Sequence, residues 1–267
     1  MKIKILGTAA AEAWPAIFCN CETCQKVREL GGKDIRSRSS VIFDDTVLID
    51  GSYDNFMHSI MEGVDFYKIK DVFITHEHSD HFIYDDYYPF FFYEDLSLYA
   101  NELAIKDLLT YPEKPETWTG INVIKPFESV VTKDGHKITS VKAEHNPDQV
   151  NQLNYVIEFQ GKCVPWLTDT GLYEDEKTWE FLSQFKFDTV ISECTCWRDE
   201  KPFYHQTFEG VLKARERFLK MGCIKEDTPY YLTHFSHNIK MLHNEMVEIA
   251  KPYGIDICYD GMEINVC

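Results

Sequence analysis

The stretch of sequence that decides the fold is Thr75-His76-Glu77-His78-Ser79-Asp80-His81. It follows a strand predicted over Asp71–Thr75, so four side chains that can bind a metal leave one strand end within six residues. In such a loop His76 and His78 can converge on one metal, while Asp80 and His81 turn toward a second position. Ionisable groups packed this densely are costly to bury without compensation. The stretch therefore predicts a metal centre beside a β-strand.

Three further candidate ligands follow strands that the sequence predicts later in the chain. His145 comes after Lys137–Ala143, Asp169 after Val164–Leu167 and His234 after Tyr230–Thr233. Two metals need more ligands than the first loop offers, and these later side chains are the candidates. Imidazole and carboxylate groups suit zinc or manganese.

The chain is predicted to be one layered α/β domain over residues 1–267, because strand patterns alternate with helical ones. Apolar, β-branched runs predict further strands over Lys2–Leu6, Ser40–Phe43, Thr46–Asp50, Ser129–Thr132, Asn154–Phe159, Lys162–Leu167 and Thr189–Glu193. Amphipathic patterns predict helices over Cys21–Leu30, Asn101–Leu109, Glu174–Gln184, Phe208–Met221 and His237–Lys251. Turn signals predict hairpins at Asp44-Asp45, Asp134-Gly135 and Gln160-Gly161.

Composition and charge exclude several classes of protein. The 267 residues are 44% hydrophobic and 27% charged, which is typical of a folded protein rather than a disordered one. Lys and Arg number 27 and Asp and Glu number 44. The resulting net charge of −17 argues against a surface that holds duplex nucleic acid or anionic lipid.

The sequence also indicates a compartment. No apolar run approaches the ~20 residues of a membrane-spanning helix. Near the N terminus, Glu12 interrupts a run of small residues too early for a signal peptide. The nine cysteines are an odd number, and without an export signal they favour reduced thiols over a disulfide framework. We therefore expect a cytoplasmic protein with no membrane partner.

The order His-x-His-x-Asp-His, single His, single Asp, single His resembles the metallo-β-lactamase superfamily. The resemblance covers nearly the whole chain and implies an αββα sandwich with a dinuclear metal site at one edge. It implies a first metal on His76, His78 and His145, a second on Asp80, His81 and His234, and Asp169 as the bridge. The true β-lactamases lack the acid that matches Asp169. This residue therefore favours the phosphodiesterase, ribonuclease and thioester hydrolase branches.

A second kind of metal site is indicated by Cys19-x-Cys21-x-x-Cys24 together with His237. The set resembles the structural zinc site of the phosphodiesterase accessory proteins of the carbon-phosphorus lyase pathway. Three thiolates and one imidazole complete a tetrahedral zinc site. Because Thr233–His237 would supply one histidine to each metal site, we expect loss of this zinc to loosen the active site. Three free cysteines are the alternative, since Cys-x-Cys is tighter than the usual spacing.

His205 stands just before a predicted helix, in His205-Gln206-Thr207. In the same phosphodiesterase group a histidine in this setting lies beside the dinuclear centre. The resemblance implies that His205 donates a proton to the leaving alkoxide or holds a phosphoryl oxygen. Thr207 also suits an N-cap, so a capping segment with an incidental histidine is the alternative. We assign His205 and Asp80 as the catalytic residues.

Three weaker signals leave alternatives open. Arg36 and Arg38 precede a strand and can reach a phosphate, although a solvated surface is the favoured interpretation. The aromatic segment 84–93 is interpreted as a lid, as part of the core or as a dimer surface. In the first loop, alanines and Glu12 replace glycines that are usual in the family. A ribosyl cyclic phosphate, the substrate of the accessory protein, is therefore in question.

Other histidines and cysteines are predicted to have no part in the chemistry. His58, His136 and His243 have no partner in their local sequence, so we expect them to be exposed to solvent. Cys194 and Cys196 lie at a strand end near the predicted metal centre. We expect these two thiols to pack rather than to bind a metal.

Together these features predict a metallohydrolase with two divalent metals, zinc or manganese, at its catalytic site and one structural zinc. The expected substrate is a small phosphodiester, with a cyclic one favoured, attacked by a metal-bound hydroxide. The alternatives are a ribonuclease Z type enzyme that matures transfer RNA, and a non-catalytic protein of pyrroloquinoline quinone synthesis with the same fold. The charge of −17 argues against a stable nucleic-acid complex. A homodimer is left open.

Overall fold

Two mixed β-sheets form the centre of the protein in the computed structural model, which describes residues 1–87, 95–110, 120–145, 152–198 and 204–267. In those ranges the first sheet has the strand order β14-β1-β2-β3-β4-β5-β6 and the second β13-β12-β11-β10-β9-β8-β7. The strands are β1 (Lys2–Gly7), β2 (Ser40–Phe43), β3 (Val47–Ile49), β4 (Asp71–Phe73), β5 (Ser97–Ala100), β6 (Ile121–Val123), β7 (Ser129–Val131), β8 (Lys137–Lys142), β9 (Leu153–Phe159), β10 (Lys162–Leu167), β11 (Val190–Glu193), β12 (Tyr230–Thr233), β13 (Ile255–Ile257) and β14 (Glu263–Asn265).

Helices connect and cover the strands. They are α1 (Glu22–Leu30), α2 (Asn55–Met61), α3 (Tyr84–Tyr87), α4 (Glu102–Leu109), α5 (Glu176–Leu182), α6 (Phe208–Lys220) and α7 (His243–Ala250). The longest, α6, begins at Thr207, whose hydroxyl accepts a hydrogen bond from the Gly210 N–H at 3.1 Å and so caps the first turn. Its buried residues Val211, Ala214 and Phe218 recur at helical spacing and form one apolar face.

Three apolar clusters show how the layers pack. One lies between the two sheets and joins Phe43 of β2 to Trp166 of β10 and Ile191 of β11. A second packs α5, α6 and α7 on the outer face of the second sheet. A third packs α4 on the outer face of the first sheet. This is the αββα sandwich that the sequence predicts, and the α/β fold class is confirmed.

The local predictions hold where the sequence pattern is strong. All three predicted hairpins form, as the antiparallel pairs β2–β3, β7–β8 and β9–β10. The sequence missed the strands β5, β6, β13 and β14, because strands of three or four residues are too short to show a period. It also missed the short helices α2 and α3. The helix predicted over His237–Lys251 was too long. It begins at His243, after a separate 3-10 turn over His237–Ile239.

The strand ends place the candidate ligands at one edge of the sandwich. Asp50 follows β3, Asp169 follows β10 and His234 follows β12, and each of the three has a left-handed backbone with φ of 59°, 47° and 58°. Few residues other than glycine adopt this conformation, and those that do cluster at functional sites. The chain thus turns sharply just where these strands end.

The prediction that His58, His136 and His243 are exposed is wrong, because all three are buried. Each has a polar partner far away in the sequence. His58 Nε2 lies 2.7 Å from Ser37 Oγ, and His136 Nε2 lies 2.9 Å from Asp44 Oδ2. His243 Nδ1 lies 3.0 Å from an Arg36 nitrogen. Burial lowers the pKa of His58 to about 4, so this histidine is neutral at pH 7.

The favoured prediction of a solvated surface for Arg36 and Arg38 is also wrong. Arg36 is buried and donates to Thr8 Oγ1 at 2.8 Å and to the Cys258 carbonyl oxygen at 2.7 Å. Its guanidinium carbon lies 4.7 Å from the ring centre of Phe235. Arg38 is paired with the Asp54 carboxylate at 3.1 Å. Both arginines therefore tie loops together.

Two observations bear on the remaining predictions about surfaces. Among the described residues, no helix has the length and apolar character needed to span a membrane. Most of the aromatic segment 84–93 lies outside the described residues, so its predicted role as lid, core or dimer surface stays a prediction.

Gly7 ends β1 where the chain passes close to a neighbouring loop, and a Cβ there would lie 1.8 Å from the Arg38 carbonyl oxygen. Gly7→Ala should lower the free energy of unfolding by about 1–3 kcal/mol, because backbone has to move apart. Gly210→Ala in α6 is the control, since its Cβ would meet nothing closer than 3.5 Å. Urea unfolding of both variants measures the effect. A Gly7→Ala protein as stable as the unsubstituted one contradicts this account of the loop.

Candidate metal centre

Three imidazoles form the first ligand cluster. His76 and His78 come from the loop after β4, and His145 follows β8. Their ligand atoms lie within 4.8 Å of one another, and His145 Nε2 is 3.3 Å from His78 Nδ1. Nitrogens at this separation can converge on a single cation. The structure thus brings together the three residues that the sequence assigns to the first metal.

Two aspartates and two histidines form the second cluster, and all four are buried. The sequence assigns Asp80, His81 and His234 to the second metal and Asp169 to the bridge. His81 Nε2 lies 2.5 Å from Asp169 Oδ2 and 3.3 Å from Asp80 Oδ2. His234 Nε2 lies 3.3 Å from Asp169 Oδ1. The second assigned set is therefore also assembled in the fold.

Asp169 reaches both clusters. Its Oδ2 atom lies 3.4 Å from His76 Nε2 in the first cluster, and its carboxylate contacts His81 and His234 in the second. Burial raises the pKa of Asp169, but the nearby His234, His81 and His145 outweigh this effect and hold the pKa well below its usual range. Asp169 is therefore an ionised carboxylate in the position of a bridge.

A second layer of polar side chains orients the histidines. Asp50 Oδ2 lies 2.7 Å from His81 Nδ1, and Thr75 donates to Asp50 through its N–H at 2.8 Å. Thr195 Oγ1 lies 2.8 Å from His234 Nδ1. When Nδ1 is engaged in this way, Nε2 is presented to a metal. Sequence reasoning missed Asp50, although it ends the predicted strand Thr46–Asp50, and it missed Thr195, which has no local signal.

The atoms of the site fit divalent cations. His76 Nε2, His145 Nδ1 and Asp169 Oδ1 are buried and form no hydrogen bond among the described residues. Such atoms are costly to bury without a partner. Burial and the neighbouring His81 also hold the pKa of His76 well below its usual range, so this imidazole is neutral, as a ligand must be. Neutral imidazoles and ionised carboxylates are suitable ligands for zinc or manganese.

His205 lies beside this centre and is held by a buried carboxylate. His205 Nδ1 is 3.2 Å from Glu193 Oε1 and 3.4 Å from Asp169 Oδ1. The Thr170 N–H donates to Glu193 Oε1 at 2.6 Å and fixes the carboxylate. Burial lowers the pKa of His205, but Glu193 and Asp169 raise it more strongly, to about 9. Glu193 ends the predicted strand Thr189–Glu193, and nothing in the local sequence indicates that it orients His205.

Three thiols assemble near the N terminus, as the sequence predicts for a structural zinc site. The Sγ atoms of Cys19, Cys21 and Cys24 lie within 4.8 Å of one another. The predicted fourth ligand, His237, is not within that distance of all three among the described residues. Its Nδ1 atom lies 2.9 Å from Glu12 Oε1, which leaves Nε2 as the nitrogen for a metal.

A cavity of about 570 Å³ opens beside the metal centre. It is lined by members of both clusters and by His205, together with residues from the loops 10–12, 195–198 and 236–239. Cys196 is part of this lining, whereas Cys194 is buried in the core as predicted. The volume suits a small organic ligand.

A family model and several solved structures are similar to this chain. The model of the beta-lactamase superfamily domain matches residues 45–255. No curated protein sequence matches the chain significantly.

Three solved structures resemble it over nearly their whole length. The first is described as a new diphosphatase from the PhnP family, with a TM-score of 0.77 and 23% identity over 99% of this chain and 97% of that one. Zinc-bound PqqB from Methylobacterium extorquens gives a TM-score of 0.79 and 14% identity over 99% and 100% of the two chains. The short form of human tRNase Z gives a TM-score of 0.66 and 17% identity over 100% of this chain and 100% of that one. At these identities the similarity shows a shared fold.

Glu193→Gln removes the negative charge that faces His205 while keeping the size of the side chain. We expect the pKa of His205 to fall from about 9, because the carboxylate that stabilises the imidazolium is lost. A proton donor works below its pKa, so the alkaline limb of the pH–rate profile should move to lower pH. The control is Glu209→Gln at an exposed position of α6. An unchanged alkaline limb in Glu193→Gln contradicts the assignment of Glu193.

Proposed function

The chain belongs to the beta-lactamase superfamily, whose members are mostly metal-dependent hydrolases, and we propose that it hydrolyses a small phosphodiester with two bound metals. A cyclic diester is favoured. The observation that carries the proposal is Asp169, an ionised carboxylate within 3.4 Å of a histidine in each cluster. Two divalent cations bound there would acidify a shared water and stabilise charge on the phosphoryl oxygens.

The residues of the chain supply the remaining parts of the reaction. Glu193 holds His205 through Nδ1, which leaves Nε2 to donate a proton to the leaving oxygen. Asp80 and His81 contact each other at 3.3 Å and orient the second cluster. The cavity leaves space for the organic group of the substrate.

Charge and size support a small substrate over transfer RNA. The net charge of −17 opposes binding of a polyanion, and the cavity of about 570 Å³ suits a ligand of nucleotide size or smaller. Two similar structures are described as a diphosphatase and a tRNase, names that refer to cleavage at phosphorus. We propose a cytoplasmic enzyme without a stable nucleic-acid or membrane partner, and a homodimer stays a prediction.

Hydrolysis of bis(p-nitrophenyl) phosphate and of 2′,3′-cyclic nucleotides tests the proposal. The metal-loaded protein should hydrolyse at least one of these substrates. His205→Ala should lower kcat by about 10²–10⁴-fold with both catalytic metals still bound, because the proton donor is lost. Release of p-nitrophenol and of the nucleotide product measures the rates. No hydrolysis of either substrate by protein with both metals bound overturns the proposed activity.

Metal analysis of the purified protein tests the ligand sets. We expect three ions per chain, of which one is a zinc held by Cys19, Cys21, Cys24 and His237. His76→Ala should lose catalytic metal and keep that zinc, whereas Cys21→Ala should lose the zinc and also weaken turnover, because the zinc ligand His237 lies only three residues after His234. Cys267→Ala, which removes an exposed thiol outside the cluster, is the control. Normal turnover and catalytic metal in a zinc-free Cys21→Ala protein contradict the coupling of the two sites.

A further inference from the structure

Glu12 contributes a carboxylate to the cavity beside the metal centre. Of the other carboxylates that line this cavity, Asp80 and Asp169 belong to the second ligand cluster, whereas Glu12 belongs to neither cluster. Its neighbours Ala10 and Ala11 also line the cavity, and their small side chains leave space beside it. The contact of Glu12 with His237 supports the structural zinc site, but it does not explain why the carboxylate lines the cavity.

Glu12 is fixed in its position by a second loop. Its Oε1 atom accepts hydrogen bonds from the Ser236 hydroxyl at 2.5 Å and from the His237 N–H at 3.2 Å, and it lies 2.9 Å from His237 Nδ1. Because these contacts all use Oε1, the described part of the chain leaves the acceptor capacity of Oε2 to a ligand. A group that is already ordered loses little entropy when a ligand binds to it. Glu12 is thus a preorganised carboxylate in the wall of the cavity.

The charged side chains that line the cavity suit a ligand with a single phosphodiester better than a ligand with a second phosphate. Arg198 lines the cavity, and in the described ranges of the chain it forms no ion pair, whereas Glu12 is paired with His237. A phosphodiester has one negative charge, which Arg198 and the bound cations can neutralise. A second phosphate next to Glu12 would meet a carboxylate of like charge.

We propose that Glu12 determines specificity, selecting phosphodiesters whose organic group offers it a hydroxyl and rejecting those that carry a second phosphate there. This inference rests on the proposed function and names the substrate class of the same site. A hydroxyl donates a charge-assisted hydrogen bond to a carboxylate. Like charges that face each other across a binding site weaken binding strongly. One side chain therefore favours one class of ligand and disfavours the other.

Adenosine 2′,3′-cyclic phosphate and its 5′-phosphorylated form test the inference, because they differ only in the 5′ group. Affinities are measured by calorimetry on the metal-loaded full chain carrying His205→Ala, which slows turnover. The kcat/KM values are measured in parallel without that substitution. The 5′-hydroxyl compound should bind at least about tenfold more tightly than the 5′-phosphate.

Glu12→Gln keeps the shape and removes the charge, so the preference for the 5′-hydroxyl compound should fall at least about fivefold. Ser236→Ala is the matched control. It removes one donor to the same oxygen and keeps the carboxylate charge, so the preference should be retained. The zinc content of each variant shows whether the contact with His237 has been disturbed.

Three results overturn the inference: equal affinities in the protein with Glu12 intact, an unchanged preference in Glu12→Gln, or no binding of either compound. Preferential binding that Glu12→Gln weakens supports it, even where neither compound is hydrolysed. If the compounds bind with this preference but neither is hydrolysed, the proposed phosphodiesterase activity on these esters fails and the role of Glu12 in ligand selection stands.

Discussion

Asp169 is a buried carboxylate with ring nitrogens of four histidines at distances between 2.5 and 3.4 Å. Ionisable groups at this density cannot be buried without compensation. Burial keeps His76 neutral, so this imidazole adds no positive charge beside the carboxylate. Divalent cations would supply this compensation and would satisfy the buried atoms that have no hydrogen bond among the described residues. The same cations would reverse the local field, which the proposed phosphate ester needs in a protein with a charge of −17.

The fold meets this constraint by ending several strands at one edge. Asp50, Asp169 and His234 each follow a strand and turn into a left-handed conformation, which directs the chain sharply at the point where a ligand or its support is needed. Residues that surround the candidate ligands and His205 hold these side chains in position. Asp50 orients His81, and Glu193 orients His205. The edge is thus preorganised by residues that contact no substrate.

The clustering of the candidate metal ligands at one edge could be predicted because each comes after an apolar run, and such runs are visible in local sequence. The fold class followed from the same runs. Contacts between distant residues could not be predicted. Arg36 looked like a surface residue, yet it donates to the carbonyl oxygen of Cys258, 222 residues away. Glu193 looked like the end of a strand, and its role depends on where the fold places His205. Short strands such as β13 could not be predicted either, since three residues show no periodicity.

Anomalous scattering from crystals grown with manganese or zinc tests the central role of Asp169 directly. The account predicts two strong peaks, each about 2.0–2.2 Å from a carboxylate oxygen of Asp169. One peak should also contact the histidines at positions 76, 78 and 145, and the other those at 81 and 234. A single peak at this edge, or two peaks that both lie beyond ligand distance of Asp169, would contradict the account.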